Sequence, residues 1–388
     1  MERAIQVLLA CIFTAMLGLG IVGPIMPLYA EDLGATFVQI GLLSSAFSMS
    51  RLIFTPPVGR LSDTKSKKKI IACGLAAYMV VSILYTFAWD FTSLVSMRFL
   101  HGMGSAMAMP VAMAYAAELA PKGYEGRYMG TINFATFAGM GCGPLIGGYL
   151  TDTFSLSAPF YLMGALTALS LLLTLILLPE EKRTSAARSR SRPSFRKILS
   201  NRLIRATFIY RVVGALGRGS IMGFLSLYIS GSPEIGGLGQ PVSVAGLILS
   251  AGMISTAVMQ RPFGVLADRY SKIRLILLGG VVASAGYALL PSARTAWEVL
   301  VARLIVSAGG AMGLPALTAI AAIEGRELGV GSTMSTLQSA MSLGMIVGPL
   351  LSGVIVDLVG LRLVFYVGFL MGLLGTAVFY LLQIGTEG

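Results

Sequence analysis

The chain has 388 residues, 55% of them apolar and only 12% charged, with a mean hydropathy of +0.81. That composition offers too little polar surface to cover a water-soluble fold of this size, so it excludes one and requires an integral membrane protein. The net charge of +12 raises nucleic acid as a partner, but the basic residues gather in alternate loops, which assigns the excess to membrane topology instead.

Taken in chain order, apolar runs fall at 5–29, 38–58, 69–89, 93–117, 128–150 and 158–179, then at 205–230, 242–263, 273–291, 296–320, 332–355 and 361–383. Each is long enough to cross about 30 Å of hydrocarbon as a helix. A spanning backbone must satisfy its own hydrogen bonds, and runs of this length suit helices rather than barrel strands. The first run is too long for a signal-peptide core and lacks a small-x-small cleavage site, so it is expected to stay as the first span. Cys11, Cys73 and Cys142 lie in or beside spans and imply no disulfide framework. Lys and Arg collect at Arg60, Lys65, Lys67, Lys68 and Lys69, at Lys122 and Arg127, at Arg269, Lys272 and Arg274, and at Arg326. The opposite loops carry Glu31, Asp32, Asp90, Asp152, Glu234 and Asp357 against only Arg294 and Arg362. This asymmetry predicts cytoplasmic termini, and the lack of an organelle-targeting segment points to a prokaryotic inner membrane.

The two sets of runs repeat one another at an offset of 205 residues. Asp63 in GRLSD corresponds to Asp268 in GVLAD, Arg98 to Arg303, Pro110 to Pro315 and Gly139 to Gly344. Gly143-Pro144 corresponds to Gly348-Pro349, and Asp152 to Asp357. Two copies of one design side by side are how many secondary transporters frame a central pathway. The halves are expected at 1–179 and 204–388, joined by a basic cytoplasmic linker at 180–203 rich in Ser, Lys and Arg, which cannot bury a core. Its charge would favour anionic lipid headgroups. The remaining loops leave no room for a catalytic domain. A single His and scattered Cys supply no catalytic cluster or metal site, so neither an enzyme nor a cofactor is expected.

The loop after the second run reads GRLSDTKSKKK and the loop after the eighth reads GVLADRYSKIR. Gly59 and Gly264 permit tight helix exits, while Asp63 and Asp268 place acceptors among basic side chains. On these residues the chain resembles the major facilitator superfamily, whose loop signature is G-x-L-x-D-R-x-G-R-K. Arg269 keeps the basic residue after the Asp, where the first copy has Thr64. Ser66 and Ser271 replace the later Gly, and Lys67 and Lys68 stand for the basic pair. The resemblance implies an all-α integral membrane fold of twelve transmembrane helices in two pseudo-symmetric six-helix bundles. It also implies that Asp63 anchors an inner gate, with Arg127 in the adjacent basic loop as its partner.

The fifth run carries G-x8-G-x3-GP-x2-GG as Gly130, Gly139, Gly143-Pro144 and Gly147-Gly148. Gly139, Gly143 and Gly147 share one face and let a neighbouring helix approach, and Pro144 favours a kink. The pattern resembles the antiporter signature of the drug–proton exporters (multidrug efflux families) within the superfamily, and the eleventh run echoes it with Gly344, Gly348-Pro349 and Gly353. Pro24 and Pro27 in GIVGPIMPLYAEDLG resemble the first-helix pattern of the same exporters.

Ionisable residues inside a membrane are costly and mark function by default. Arg51, Arg98, His101, Arg218 and Arg303 lie deep in their runs, whereas Arg211 and Arg261 lie near enough to the inner face to snorkel. Arg98 resembles the fourth-helix arginine that the family ties to proton coupling, and His101 shares its helix face. No Asp or Glu lies deep in any run, so the proton carrier is either His101 or an acid at a helix end such as Glu31. Asn133 and Gln338 are repeat equivalents turned away from the glycine faces, placed either to line a cavity or to bond between helices. Met103, Met107, Met109 and Met113 make the fourth run pliable.

The expected function is proton-coupled efflux of small amphipathic or drug-like molecules by alternating access, in a functional monomer whose partners are substrate, protons and lipid. The alternative is a carrier for an anionic metabolite or a sugar, because the excess of intramembrane arginine attracts anions.

Overall fold

The computed structural model describes residues 2–22, 25–34, 37–180, 195–231, 233 and 236–384. Twelve long helices carry the fold: α1 (Glu2–Val22), α2 (Phe37–Thr64), α3 (Lys67–Tyr85), α4 (Phe91–Leu119), α5 (Glu125–Thr153) and α6 (Ala158–Leu177), then α7 (Arg202–Ser230), α8 (Val242–Arg269), α9 (Lys272–Leu289), α10 (Ala296–Leu328), α11 (Val330–Val359) and α12 (Val364–Ile384). A short helix, Ile25–Asp32, follows α1.

Helix starts obey the repeat as closely as the loops do. Ser66 and Ser271, 205 residues apart, cap α3 and α9 by accepting from the backbone N–H of Lys69 and Arg274. Those serines replace the glycine of the family signature, so the departure has a structural use. Asp90 and Thr295, also equivalent, cap α4 and α10, and Asp90 forms a reciprocal capping box with Ser93.

Within the first half α1 packs on α5 and α6, α2 on α4, and α3 on α4 and α6. In the second half α7 packs on α11 and α12, α8 on α10, and α9 on α10 and α12. Two seams join the bundles, α2 against α11 and α5 against α8. The helices farthest from the seams present large apolar side chains outward, among them Val80 and Ile83 on α3, Leu172 and Ile176 on α6, Leu278 and Val281 on α9, and Leu370 and Leu381 on α12. That is a surface for lipid rather than water.

Among the described residues eight helices are long and apolar enough by composition alone to cross a membrane. The other four are α2, α4, α5 and α7, which carry Arg51, then Arg98 and His101, then Asn133, then Arg211 and Arg218. Polar intrusions lower their hydropathy, and the same intrusions build the site.

Two expectations change. The segment expected as linker ends in a helix, Phe195–Ser200, and α7 already starts at Arg202; residues 181–194, with most of the linker's basic side chains, lie outside the described residues. The side chains of Pro27, Glu31 and Asp152, and Pro24 itself, lie outside them too. Arg261 is exposed and free to snorkel, but Arg211 turns inward, its Nη2 donating to Met341 Sδ of α11 at 3.3 Å.

Candidate functional site

At the end of the molecule that carries the basic loops, the two bundles are latched. The first backbone N–H groups of a helix have no intrahelical partner and attract negative charge. Asp63, in the last turn of α2, accepts from the N–H of Gly331 at 2.7 Å and of Ser332 at 3.0 Å, and from the Ser332 hydroxyl, all at the start of α11. Asp268, in the last turn of α8, accepts from the N–H of Gly126 at 2.6 Å and of Arg127 at 2.8 Å, at the start of α5. Acceptors and main-chain donors alike differ by 205. One latch is therefore built twice, each time from one bundle to the other.

This corrects the pairing of Asp63 with Arg127. Arg127 contributes its main-chain N–H, and it does so to Asp268. Asp63 reaches across the seam because glycine there removes every obstacle. A Cβ on Gly59 would fall 2.8 Å from the Gly331 carbonyl oxygen, and one on Gly126 would fall 2.5 Å from that of Gly264. Gly329 joins α10 to α11 in one residue at φ +90°, and a side chain there would meet the Asp63 carboxyl. Burial pushes the Asp63 carboxyl above its ordinary value, opposed by its Ser332 and Gly331 donors and by Lys67.

The basic residues of the motif loops take separate parts. Lys67 pairs with Glu118 at 2.8 Å inside the first bundle, while Arg269 is exposed and Lys68 partly so. Arg326 crosses between the halves to Glu125 at 2.7 Å and donates to the Ala120 carbonyl at 3.2 Å. That tie has no repeat counterpart, since the equivalents of Arg326 and Glu125 are Pro121 and Val330.

Deeper in, Arg51 Nη2 donates to Gln338 Oε1 at 3.2 Å, and Gln338 Nε2 points at Met113 Sδ at 3.1 Å, so α2, α11 and α4 share one polar chain. The Phe47 ring lies 5.8 Å from Arg51 Cζ and 5.4 Å from Arg98 Cζ, close enough for both to interact with its face. In the second bundle Arg303 lies along Gly252, the equivalent of Phe47, and its Nη1 reaches Ser307 Oγ at 3.5 Å. His101 is fully enclosed, its Nδ1 3.1 Å from the Tyr85 hydroxyl and its ring edge-on to Tyr78 at 4.5 Å. Arg98 borders the same Tyr85 hydroxyl. Arg218 lies near Arg211, half-buried on α7. Among the described residues no carboxylate pairs with Arg51, Arg98, Arg211, Arg218 or Arg303.

Asn133 is buried in α5 with its Nδ2 unpartnered, and Gln260, in α8, is buried with neither amide atom bonded. The repeat equivalent of Gln260 is Thr55, so no landmark register points to it, and a lone amide inside an apolar run is the signal it gives. The glycines of α5 divide between two neighbours. Gly139, Gly143 and Gly147 seat α5 against the backbone of α1 at Phe13, Gly20 and Ile21, whereas Gly130 seats it against Gln260 of α8. α5 runs as one helix through Pro144.

A family model described as Major Facilitator Superfamily matches residues 8–232 and 207–387. The chain belongs to the major facilitator superfamily. An uncharacterized MFS-type transporter of Methanocaldococcus jannaschii is 31% identical over 367 residues, 93% of each chain. The quinolone resistance protein NorA of Staphylococcus aureus is 27% identical over 359 residues, 92% of this chain and 91% of that one. Among solved structures, the human organic anion transporter MFSD10 superposes with a TM-score of 0.81 at 18% identity, covering 98% of this chain and 99% of its own. The transporter FucP, in its outward conformation, gives 0.77 at 16% identity and covers 98% of both chains. As a major facilitator protein the chain is a multi-pass membrane transporter, a family of carriers and not of enzymes.

Proposed function

We propose that this chain exports small amphipathic or drug-like molecules in exchange for protons, by alternating access of a site between its two bundles. The observation that carries the reading is the pair of equivalent Asp latches, each spanning from one bundle to the other at the same end of the molecule. Such a pair suits rigid bundles that rock about a central site, because all of its bonds break together and leave each bundle intact. The export direction draws on the glycine pattern of α5 and on the likeness to the staphylococcal quinolone resistance protein. The distribution of basic loops supports an inner membrane with both termini cytoplasmic, so the latched end faces the cytoplasm. Both seams are made within one chain, which supports a functional monomer.

Arg98, Tyr85 and His101 form the proton-coupling group in this reading, since no acid lies deep in the described spans and these three side chains meet on α3 and α4. The test is uptake into proteoliposomes with and without an imposed proton gradient, over a panel of a cationic dye, a neutral drug and an organic anion. Gradient-driven accumulation of at least one is expected, falling to the gradient-free level in Arg98→Ala and in His101→Ala. Undiminished accumulation in both variants would overturn the coupling assignment. Gradient-independent behaviour across the whole panel would overturn the exchange mechanism itself.

A further inference from the structure

We infer that Arg51 and Arg211, one from each bundle, form a seat for the carboxylate of an amphipathic organic acid, whose apolar body lies on Phe47 and Met341. This deepens the transport reading and rests on it for its biological sense, although binding itself is independent of flux.

The two arginines converge on one strip of α11. Arg51 comes from α2 and donates to Gln338; Arg211 comes from α7 and donates to Met341, three residues further along the same helix face. Both Nε atoms are enclosed without a partner. The bonds the guanidinium groups do make go to a neutral amide oxygen and a thioether sulfur, and the thioether is a weak acceptor. Arg211 lies within electrostatic range of both Arg218 and Arg51. An uncompensated cluster of this kind inside a membrane protein calls for an anion from outside the chain.

The shape of the cluster selects which anion. A guanidinium presents its donors in a planar fork that matches a carboxylate, and each of these arginines, one from either bundle, keeps an Nε–H without a partner. A small inorganic anion would use the forks alone. Phe47 and Met341 keep accessible surface beside the arginines, which suits a ligand with an aromatic or aliphatic body.

Departures from the repeat reinforce the choice. The equivalents of Arg51, Arg211, Gln338 and Phe47 are Thr256, Gln6, Asn133 and Gly252, so the equivalent positions carry neither these two charges nor the ring. Structural pinning needed by both halves would have been kept in both. The charged seat belongs to one seam only.

The experiment is equilibrium binding to the full chain in nanodiscs, using radiolabelled 2-naphthoate. Unlabelled 2-naphthylmethylamine, 2-naphthalenemethanol and inorganic phosphate serve as competitors. Saturable naphthoate binding is expected, with little competition from the amine, the alcohol or phosphate. Affinity should fall about 10- to 100-fold in Arg51→Gln and Arg211→Gln, the loss of one charge-assisted contact. Arg51→Lys keeps the charge but not the fork and should fall between, which also covers the case in which the Gln variants fail to fold. The exposed Arg274→Gln removes the same charge at the surface and should bind normally. Equal competition by the alcohol or the amine, displacement by phosphate as effective as by naphthoate, or undiminished binding in the arginine variants would overturn the seat. Specific naphthoate binding without gradient-driven flux would leave the seat standing and remove the proton-exchange reading. Flux of neutral or cationic substrates without naphthoate binding would do the reverse.

Discussion

A methyl group on Gly59 would fall 2.8 Å from the Gly331 carbonyl oxygen and closer still to the Ser335 side chain. The Ser335 hydroxyl can rotate away, but its Cβ and the α11 backbone cannot, so the bundles must part to admit it. Overpacking of this kind costs about 1–3 kcal/mol, and only in the latched state. Gly59→Ala should therefore shift the balance toward the unlatched state by roughly 5- to 150-fold. The readout is labelling of a cysteine at the buried Ser62 by a membrane-impermeant maleimide, with Cys73 and Cys142 replaced by serine. Unchanged labelling would mean that α2 and α11 are not held this closely. The Asp63 carboxyl gives a pH dependence at the same scale. It lies beyond the span 38–58, and burial raises it above its ordinary value when latched. Parted, it faces water and returns toward that value, so the latched state holds a proton more tightly. The resulting gain in closure is complete below the ordinary value and is lost as pH rises through the latched value. Lys67 beside Asp63 opposes this rise. Spin labels on the exposed Lys65 and Glu327, introduced as cysteines, should report a growing parted fraction as pH rises over that range. The dependence should vanish in Asp63→Asn, and a persistent or inverted profile would exclude this group as its source.

At the scale of elements, the sequence was legible wherever a pattern constrained one helix alone. Span positions, the 205-residue register, the motif loops and the glycine face of α5 follow from composition and period, because hydrocarbon thickness and helix pitch act on a single segment. Pairings between helices were not legible. A duplication states that Asp63 and Asp268 are equivalent, but each Asp has two equivalent helix starts available, its own bundle's and the other's. Only the packing decides that Asp63 takes α11 and Asp268 takes α5, and the same degeneracy misdirected the partner of Asp63 to Arg127. Arg211 was misread for a related reason. Its distance from the helix end allows snorkelling, but the direction of its side chain depends on how α7 is rotated against α11. Gln260 had no equivalent amide to mark it, and its burial shows only once α8 lies on α5. The amide pair Asn133 and Gln338 shows the limit from the other side. The two are equivalent in register, yet Gln338 bridges Arg51 and Met113 while Asn133 keeps its Nδ2 unpartnered.

At the scale of the whole molecule, the question is whether the two seams open as one. Ser62 and Ala267 are fully buried equivalents, one in each seam: a side chain on Gly331 would strike Ser62, and one on Gly126 would strike Ala267. If the bundles rock as rigid bodies, breaking either latch must raise exposure at both positions, because a single equilibrium governs them. If the helix ends fray separately, each break is felt only at its own seam. Asp63→Ala leaves the first N–H groups of α11 without an acceptor, at about 1–3 kcal/mol for a buried unsatisfied donor. Maleimide labelling of Ala267→Cys, on the far seam, should then rise about 5- to 150-fold in Asp63→Ala, and labelling of Ser62→Cys should rise similarly in Asp268→Ala. Because the two Asp share no bonding partner, their effects on the common equilibrium should add in free energy, so the double Ala variant multiplies the single increases. Labelling confined to the mutated seam would replace rigid-body rocking with local opening, and the twin latches would then be two independent gates.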